Sequence, residues 1–423
     1  MDTLAPARID REALASRYRT NRRRTAELFA TIAPSAYALA PIPLRHPFVF
    51  YAGHIPAFSY YTLVRDALRR GSLDPALERL FDRGIDPRDV DGAASHRRAA
   101  WPDREAVERF AAACDAAVLA AYARAQLDDP TQPSLVRAEA AYTILEHEEM
   151  HHETLTYIIH RLHRELQRGP RGVHVDRTPP PRAPIAIPAG RATLGARRDA
   201  VPFGWDNEFE ETVVEVGAFG IDAYDVTNGE YRAFVRAGGP TPPCWFERDG
   251  AWWLHAVFED LPLPDSWPVY CTQEQAEAFA SWSAGRLPTE AEFHRAAYGT
   301  PSGEERPQPW GTEPPDPARH GNFGWRRFDP EPVGSSPRGA SAWGVEDLVG
   351  NGWEWTSTPF APLPGFRPMA SYPQYSTDFF DGAHVVMKGA SPVTATTLVR
   401  RPFRNWFYRD YPYMYATFRR VYD

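Results

Sequence analysis

The stretch from Tyr142 to Leu162 reads YTILEHEEMHHETLTYIIHRL and lies near the end of a predicted long helix. His147 and His151 are four residues apart, so on a helix both imidazoles project from one face, one turn apart. Two ligands at this spacing on one rigid element are typical of a metal site. The stretch therefore predicts a helix that carries a metal-binding pair.

The same residues allow other interpretations. The pentapeptide HEEMH also fits the zinc-peptidase pattern H-E-x-x-H, in which Glu148 would be the general base. The two histidines would equally suit an amphipathic helix on which they are ordinary core or solvated residues. This stretch alone leaves the three readings open.

The length and composition describe a globular protein of more than one domain. A chain of 423 residues is too long for a single core, and we expect two domains. Its 13 Trp, 19 Tyr, 23 Phe and 42 Pro favour a loop-rich domain held together by large side chains.

The charge and the cysteines exclude several classes of partner and site. A formal net charge of -8 gives no general attraction to nucleic acid or to an anionic membrane, and no apolar run is long enough to span a bilayer. We expect a cytoplasmic protein without a nucleic-acid or membrane partner. Cys114, Cys244 and Cys271 are scattered, which predicts neither a disulfide framework nor a thiolate zinc site.

Four helices are predicted in the first half of the chain. Their approximate ranges are residues 8–32, residues 46–70, a segment that begins near residue 101, and residues 134–167. The second segment carries His54, and Pro56 two residues later suits the first turn of a helix or a kink better than a helix middle. We therefore expect His54 near a helix start, facing inward. Three histidines on two facing helices of a bundle could occupy one side of a metal ion and leave the other side open.

The second half has a different texture. Residues 171–188 are rich in proline and predict a stiff linker between a helical domain at 1–170 and a second domain at 189–423. Past this linker, short strand-like runs alternate with helices that begin after Thr227, Thr272 and Thr289. The fold class is therefore α+β.

Five motifs in the second half carry a family resemblance. They are DVTN (225–228), RLPTEAEF (286–293), PWG (309–311), GNGWEWTS (350–357) and MKGAS (387–391). In this order they resemble the formylglycine-generating-enzyme-like domain, which has a C-type-lectin-like fold. The copper-type members of that family use a late cysteine pair. This chain has no cysteine after Cys271, which disfavours their activity.

The first half resembles a DinB-type four-helix bundle, and the two halves together resemble the EgtB family of non-haem iron sulfoxide synthases. That resemblance implies His54, His147 and His151 as ligands of Fe(II). It also implies an O2-dependent reaction that bonds a sulfur donor to the imidazole C2 of hercynine, the trimethylated betaine of histidine.

Further site residues follow from the resemblance. In YPQYSTDFF, Tyr372 matches the catalytic tyrosine of the family and Tyr375 matches a tyrosine near the imidazole substrate. In FRNW, Asn405 and Trp406 match residues around the hercynine betaine. A phenol can give or take a proton, and an aromatic face attracts a quaternary ammonium.

The chain departs from the sulfoxide synthases where they bind the donor. Phe407 stands where they carry an aspartate that contacts the amino acid donor, and Met150 replaces a glutamine that touches the imidazole substrate. Arg97 and Arg98 do not align convincingly with the arginine pair that holds donor carboxylates. A phenyl ring cannot pair with a cationic amine, so the donor pocket is predicted to differ.

The departures favour the sibling family, the selenoneine synthases (SenA), which join a selenosugar to hercynine. The alternative is a sulfoxide synthase that uses cysteine or γ-glutamylcysteine as its thiol donor. A non-catalytic zinc-binding protein of DinB type is a further alternative.

Overall fold

The computed structural model describes residues 9–82, 101–181 and 183–423. Its contacts divide the chain into two compact units, which are described separately. Unit 1 comprises Met1–Pro170 together with Met369–Pro373, and unit 2 comprises Arg171–Pro368 and Gln374–Asp423. The short segment Met369–Pro373 was assigned to the second domain by sequence, yet its contacts belong to unit 1.

In its described residues, unit 1 is a bundle of four long helices. Helix α1 packs against α4 and α5, and α2 packs against the same two helices. A short helix, α3, lies between α2 and α4. The bounds are α1 Arg11–Ala30, α2 Phe48–Ser59, α3 Pro75–Leu80, α4 Arg104–Arg124 and α5 Glu139–His160. In the described part of the chain, no helix has both the length and the apolarity that crossing a membrane requires.

Helix α5 is shorter than the sequence predicted. It begins at Glu139, because Arg137 and Ala138 have left-handed backbone angles, with φ of 56° and 58°, that interrupt the preceding 3-10 turn. It ends at His160, and Arg161 caps it. The predicted range of 134–167 joined this helix to the 3-10 turns at either end, Pro133–Ala138 and Arg164–Leu166.

The prediction that His54 lies near a helix start is wrong. His54 is the seventh residue of α2, and Pro56 lies inside the same helix. Proline removes one backbone hydrogen bond and crowds the preceding turn. Nearly all of α2 is buried, so tertiary packing holds the helix despite this cost. Directly after α2 the chain continues as a π-helix, Tyr60–Ala67, whose wider turn is often found near functional sites.

Unit 2 contains four small sheets and four helices. The strand orders are β1-β4-β12, β10-β9-β8-β11, β2-β3 and β5-β6-β7. The strands are β1 Ile185–Ile187, β2 Gly190–Leu194, β3 Thr212–Val216, β4 Phe219–Ile221, β5 Trp245–Arg248, β6 Ala251–His255, β7 Asp260–Pro262, β8 Gly352–Pro359, β9 His384–Ala390, β10 Asn405–Tyr408, β11 Ala416–Thr417 and β12 Val421–Tyr422. The helices are α6 Asn228–Arg236, α7 Gln273–Trp282, α8 Glu290–Tyr298 and α9 Gln374–Thr377.

The predicted helix starts of unit 2 are confirmed. Thr227, Thr272 and Thr289 are the N-caps of α6, α7 and α8, and each forms a reciprocal capping box with the residue three positions on. Helix α8 packs on β2 and β3, where Phe293 lies in a core of buried apolar residues. The mixture of short strands and helices agrees with the predicted α+β class.

The proline-rich stretch that was predicted as a linker is part of unit 2. Trp267 donates its indole N–H to the carbonyl of Val175, and the Nε2 of His174 is 2.9 Å from Oε1 of Glu259. Strand β1 falls inside the predicted range of 171–188 and pairs antiparallel with β4. Through these contacts the stretch packs on the rest of unit 2. The three cysteines are free and buried.

Candidate metal centre

Three imidazoles of unit 1 converge on one point. One side-chain nitrogen from each of His54, His147 and His151 lies within 4.8 Å of the other two. The Nε2 atoms of His147 and His151 are 3.2 Å apart, as expected for two residues one turn apart on α5. His54 reaches them from α2, which packs against α5.

His54 is held in one orientation by a backbone contact. Its Nδ1 lies 2.9 Å from the carbonyl oxygen of Phe81, the residue that follows α3. A carbonyl only accepts hydrogen bonds, so Nδ1 carries the hydrogen and Nε2 keeps a lone pair. The ring of Phe50 stacks on the imidazole of His54 with a centroid distance of 4.8 Å and an interplanar angle of 14°.

The surroundings of the three histidines are aromatic. Phe58 stacks on His147 at 3.5 Å between centroids, and Tyr51 lies 5.7 Å from His151. His54 and His147 are buried, and His151 is partly exposed. Aromatic packing of this kind fixes the rings and excludes water from most of the cluster.

This environment keeps all three imidazoles neutral near pH 7. Burial lowers the pKa of His54 to about 4, although the hydrogen bond to Phe81 acts in the opposite direction. Burial and the neighbouring imidazoles hold the pKa values of His147 and His151 well below the ordinary histidine value. A neutral imidazole offers the lone pair that a metal ion needs.

The cluster fits a bound divalent metal ion. Two nitrogens at about 2.1 Å from a metal, at roughly a right angle, are about 3 Å apart, which is close to the observed 3.2 Å. The Nδ1 atoms of His147 and His151 are buried and have no hydrogen-bond partner among the described residues. Imidazole ligands suit both iron and zinc.

Tyr372 lies beside this cluster, within unit 1. Its ring centroid is 5.2 Å from Phe58 and 6.3 Å from His147. The preceding residue, Ser371, is anchored on α5, because its backbone N–H donates to Oε1 of Glu139 at 2.8 Å and its hydroxyl is 2.9 Å from that of Thr143. Tyr372 therefore lies beside the histidines although it is far from them in the sequence.

Glu148 does not occupy the position of a peptidase base. It is fully buried, and its Oε1 accepts hydrogen bonds from Arg22 and from Thr25, both on α1, at 2.8 Å and 2.6 Å. Since the Thr25 hydroxyl donates to Glu148, it accepts from Nε2 of His152, 2.9 Å away. Burial raises the pKa of Glu148, but Arg22, His152 and Thr25 outweigh burial and leave it below the ordinary value. These contacts argue against the peptidase alternative.

The remaining candidate residues lie on α5 and in unit 2. Met150 is half-buried on α5, one residue before His151. In unit 2, Tyr375 stacks on Trp205 at 3.8 Å and meets Trp406 edge to face at 5.2 Å. Trp406 also stacks on Phe360, with 4.1 Å between the ring centroids.

Strand β10 separates its three candidate residues by face. Asn405, Trp406 and Phe407 pair with successive residues of β9, so Asn405 and Phe407 share one face and Trp406 points to the other. Phe407 stacks on Tyr411 at 4.9 Å, away from the partners of Trp406. Arg97 and Arg98 lie outside the described residues.

Comparisons with known proteins agree with this architecture. The sulfatase-modifying factor enzyme 1-like domain matches residues 173–423, and the DinB superfamily matches residues 17–155. Hercynine oxygenase of Mycolicibacterium thermoresistibile is 34% identical over 402 residues, which cover 88% of this chain and 85% of that protein. Hercynine oxygenase of Mycobacterium tuberculosis is 32% identical to this chain, and the match covers 90% of this chain and 91% of that protein.

This chain belongs to the EgtB family of hercynine oxygenases. A longer relative, ergothioneine biosynthesis protein 1 of Schizosaccharomyces pombe, is 28% identical over 90% of this chain and 52% of its own length. Membership confirms the predicted fusion of a DinB-like bundle to a formylglycine-generating-enzyme-like domain. It also makes the chain a member of an enzyme family.

In this EgtB-family chain, the groups that hold the site in place were not predicted from the sequence. These are the Phe81 carbonyl, the Ser371 anchor and the α1 side chains around Glu148. One signal was available for the last group. Glu146, Glu148 and Glu149 lie close together on a helix predicted to pack in a bundle, and buried carboxylates require cationic partners. Arg17 and Arg22 of α1 supply them.

Proposed function

We propose that this EgtB-family chain is a mononuclear non-haem Fe(II) enzyme that uses O2 to form a carbon–chalcogen bond at C2 of hercynine. The observation that carries the proposal is the convergence of three neutral imidazoles, with the ring of Tyr372 6.3 Å from one of them. In the balanced reaction, the C2–H bond and the Se–H or S–H bond break. The C–Se or C–S bond forms, one oxygen atom joins the chalcogen and the other leaves as water.

His54, His147 and His151 would hold the iron. Fe(II) at this site would supply the redox chemistry of O2 and, since its three ligands are neutral, a positive charge that attracts an anionic selenolate or thiolate. The stacked rings of Phe50 and Phe58 keep His54 and His147 in their ligand orientations. Ligands from the two helices α2 and α5 leave further coordination positions for substrates.

Tyr372 is proposed to hold and deliver a proton at its phenolic oxygen. The Ser371 anchor on Glu139 and Thr143 keeps this segment on α5, so the phenol does not depend on a free loop for its position. A tyrosine in this role raises the rate by supplying a proton where charge develops during the reaction.

Hercynine is proposed to contact Tyr375, Asn405 and Trp406. The edge-to-face pair of Tyr375 and Trp406 presents aromatic surfaces that attract a trimethylammonium group. Met150, next to His151 on α5, is proposed to contact the substrate imidazole through its thioether and methyl groups.

The donor is proposed to be a selenosugar. The contact that favours it is the stack of Phe407 on Tyr411, which forms an aromatic surface suited to a sugar ring and offers no carboxylate to an amino group. The second candidate is a thiol donor, cysteine or γ-glutamylcysteine, as in a sulfoxide synthase. A cytoplasmic location stays a prediction from the sequence.

One experiment tests both the reaction and the donor. Protein loaded anaerobically with Fe(II) is exposed to O2 with hercynine and selenoglucose, cysteine or γ-glutamylcysteine in turn, and product masses are read. We expect a hercynine adduct that retains selenium, formed faster than either sulfur adduct. Faster formation of a sulfur adduct would reassign the donor.

The same preparation tests the non-catalytic alternative. Three imidazoles also suit zinc, so a zinc-binding protein of DinB type is the second candidate function. Metal analysis after anaerobic purification distinguishes the two. Stoichiometric zinc, together with no O2 uptake after iron loading, would overturn the enzyme proposal.

A further inference from the structure

Helix α3 is fastened to the segment that follows α2. Asp74 caps its start by accepting from the backbone N–H groups of Ala76 and Leu77. Glu78 is buried and accepts from Arg65 of the π-helix at 2.8 Å and from Ser72 at 2.7 Å. These contacts fix the end of α3, where Phe81 donates its backbone N–H to the carbonyl of Leu77.

Gly53 makes room for the Phe81 side chain. A Cβ placed on Gly53 would lie 2.4 Å from two ring atoms of Phe81, well inside any real carbon–carbon contact. Glycine is a poor residue for a helix interior, and alanine would be the better helix former there. The glycine is therefore explained by the close approach of Phe81 to α2, immediately beside His54.

We propose that Gly53 and Phe81 are positioning residues that set the tautomer of His54 before any metal binds. With no side chain at position 53, the Phe81 ring packs directly on α2 and its carbonyl reaches Nδ1 of His54 at 2.9 Å. Nδ1 must then carry the hydrogen, which leaves the lone pair on Nε2 available to a metal. The inference rests on the proposed ligand role of His54 but not on the substrate or the reaction.

The other two imidazoles are not preset in this way. Within the described residues, the Nδ1 atoms of His147 and His151 have no hydrogen-bond partner. In the described residues, the His54 tautomer is set by a backbone carbonyl, whereas the Nε2 atoms of His147 and His151 contact only each other, at 3.2 Å. Contacts behind metal-ligating histidines typically change metal affinity by about 10- to 100-fold.

The test is the substitution Gly53→Ala, studied in metal-free protein. Long-range 1H–15N correlation of the histidine side chains reports which ring nitrogen carries hydrogen, and His54→Gln identifies the His54 signals. We expect wild-type His54 to show a single form with hydrogen on Nδ1. In Gly53→Ala we expect a mixture of tautomers and about a 10- to 100-fold weaker affinity for Co(II), used as a spectroscopic probe.

Two further variants separate this effect from general damage. Gly71→Ala is the matched control, because a Cβ on Gly71 meets nothing within 4 Å, and it should change neither readout. In the double variant Gly53→Ala/Phe81→Ala, the ring that meets the new Cβ is gone while the backbone carbonyl stays. Because the contacts of Glu78 with Arg65 and Ser72 still hold the end of α3, this variant should recover the single His54 tautomer.

The outcomes distinguish this inference from the proposed function. A folded Gly53→Ala protein with an unchanged His54 tautomer and unchanged Co(II) affinity would overturn the inference, whatever its turnover. If Gly53→Ala does not fold, Glu78→Gln loosens the same helix without touching α2, and an unchanged tautomer there overturns the inference as well. Absence of any hercynine product, with the expected tautomer changes present, would overturn only the proposed function.

Discussion

Two adjacent faces of helix α5, offset by a single residue in the sequence, lie in contrasting environments. On one side, Glu139, Thr143, His147 and His151 follow one another at four-residue spacing and form the histidine face. Next to it, Glu148, Glu149 and His152 form the ionic face. The histidine face meets aromatic rings of α2 and the Ser371–Tyr372 segment, whereas the ionic face meets Arg17, Arg22 and Thr25 of α1.

The difference shows that spacing alone does not assign a role. Both faces contain a pair of ionisable residues at i and i+4, and both pairs are largely buried. Burial among aromatic rings, with the neighbouring imidazoles, holds the pKa values of His147 and His151 low and leaves both side chains neutral and available to a metal. Charged and hydroxyl partners engage Glu148 and His152 and bind the helix to α1. A shift of one residue along the helix therefore separates the histidines proposed to bind metal from the residues that attach α5 to α1.

The largest expected effect comes from removing one histidine from each face. His147→Ala should lose stoichiometric iron, because two imidazoles cannot replace three around one ion. His152→Ala should keep iron at about one per chain, since its imidazole contacts Thr25 of α1. Metal content after anaerobic loading and desalting measures both. Equal retention of iron in the two variants would erase the distinction between the faces.

The second effect concerns the stability of the ionic face. Arg22→Met removes the guanidinium 2.8 Å from Glu148 and leaves a buried carboxylate without its cation. Breaking a buried ion pair on one side typically costs about 3–5 kcal/mol. Urea unfolding of the metal-free protein measures the loss. Arg23→Met, at an exposed position on the same helix, is the control and should stay within about 0.5 kcal/mol of wild type.

The third effect concerns Tyr372, beside the histidine face, and iron binding should not change. Tyr372→Phe should slow adduct formation by about 100-fold, or divert the reaction to oxidation of the donor, because a proton donor is lost. Product masses and rates at equal iron content measure it. Tyr61→Phe is the matched control, since Tyr61 also contacts Phe58 and burial raises its pKa well above the ordinary value. Equal rates in wild type and Tyr372→Phe would remove Tyr372 from the mechanism.

The smallest effect tests the anchor of that tyrosine. Thr143→Val removes the hydroxyl 2.9 Å from Ser371, a contact worth about 1 kcal/mol, or roughly fivefold in rate. Turnover should fall in the direction of Tyr372→Phe while iron content stays constant. Thr154→Val removes a helix hydroxyl that donates to the carbonyl of Met150, and it should leave turnover unchanged. The same fall in both variants would mean that the anchor has no special role.

The sequence was sufficient for the fold and for the composition of the histidine cluster. The five motifs identified the second domain, and the four-residue spacing placed His147 and His151 on one face of a helix. It did not predict the contacts that come from remote backbone. The Phe81 carbonyl carries no sequence signature, and Ser371 is more than two hundred residues from Glu139. Pro56 misled the placement of His54, because burial of α2 outweighs the local preference of proline.

We propose that three imidazoles from α2 and α5 bind one iron ion. Iron K-edge X-ray absorption of protein loaded anaerobically with one equivalent of Fe(II) tests this proposal most directly, since multiple scattering from the rings counts imidazole ligands. We expect three imidazoles per iron in wild type and two in His54→Ala at whatever occupancy remains. A wild-type site with fewer than three, or a count that His54→Ala does not change, would contradict it.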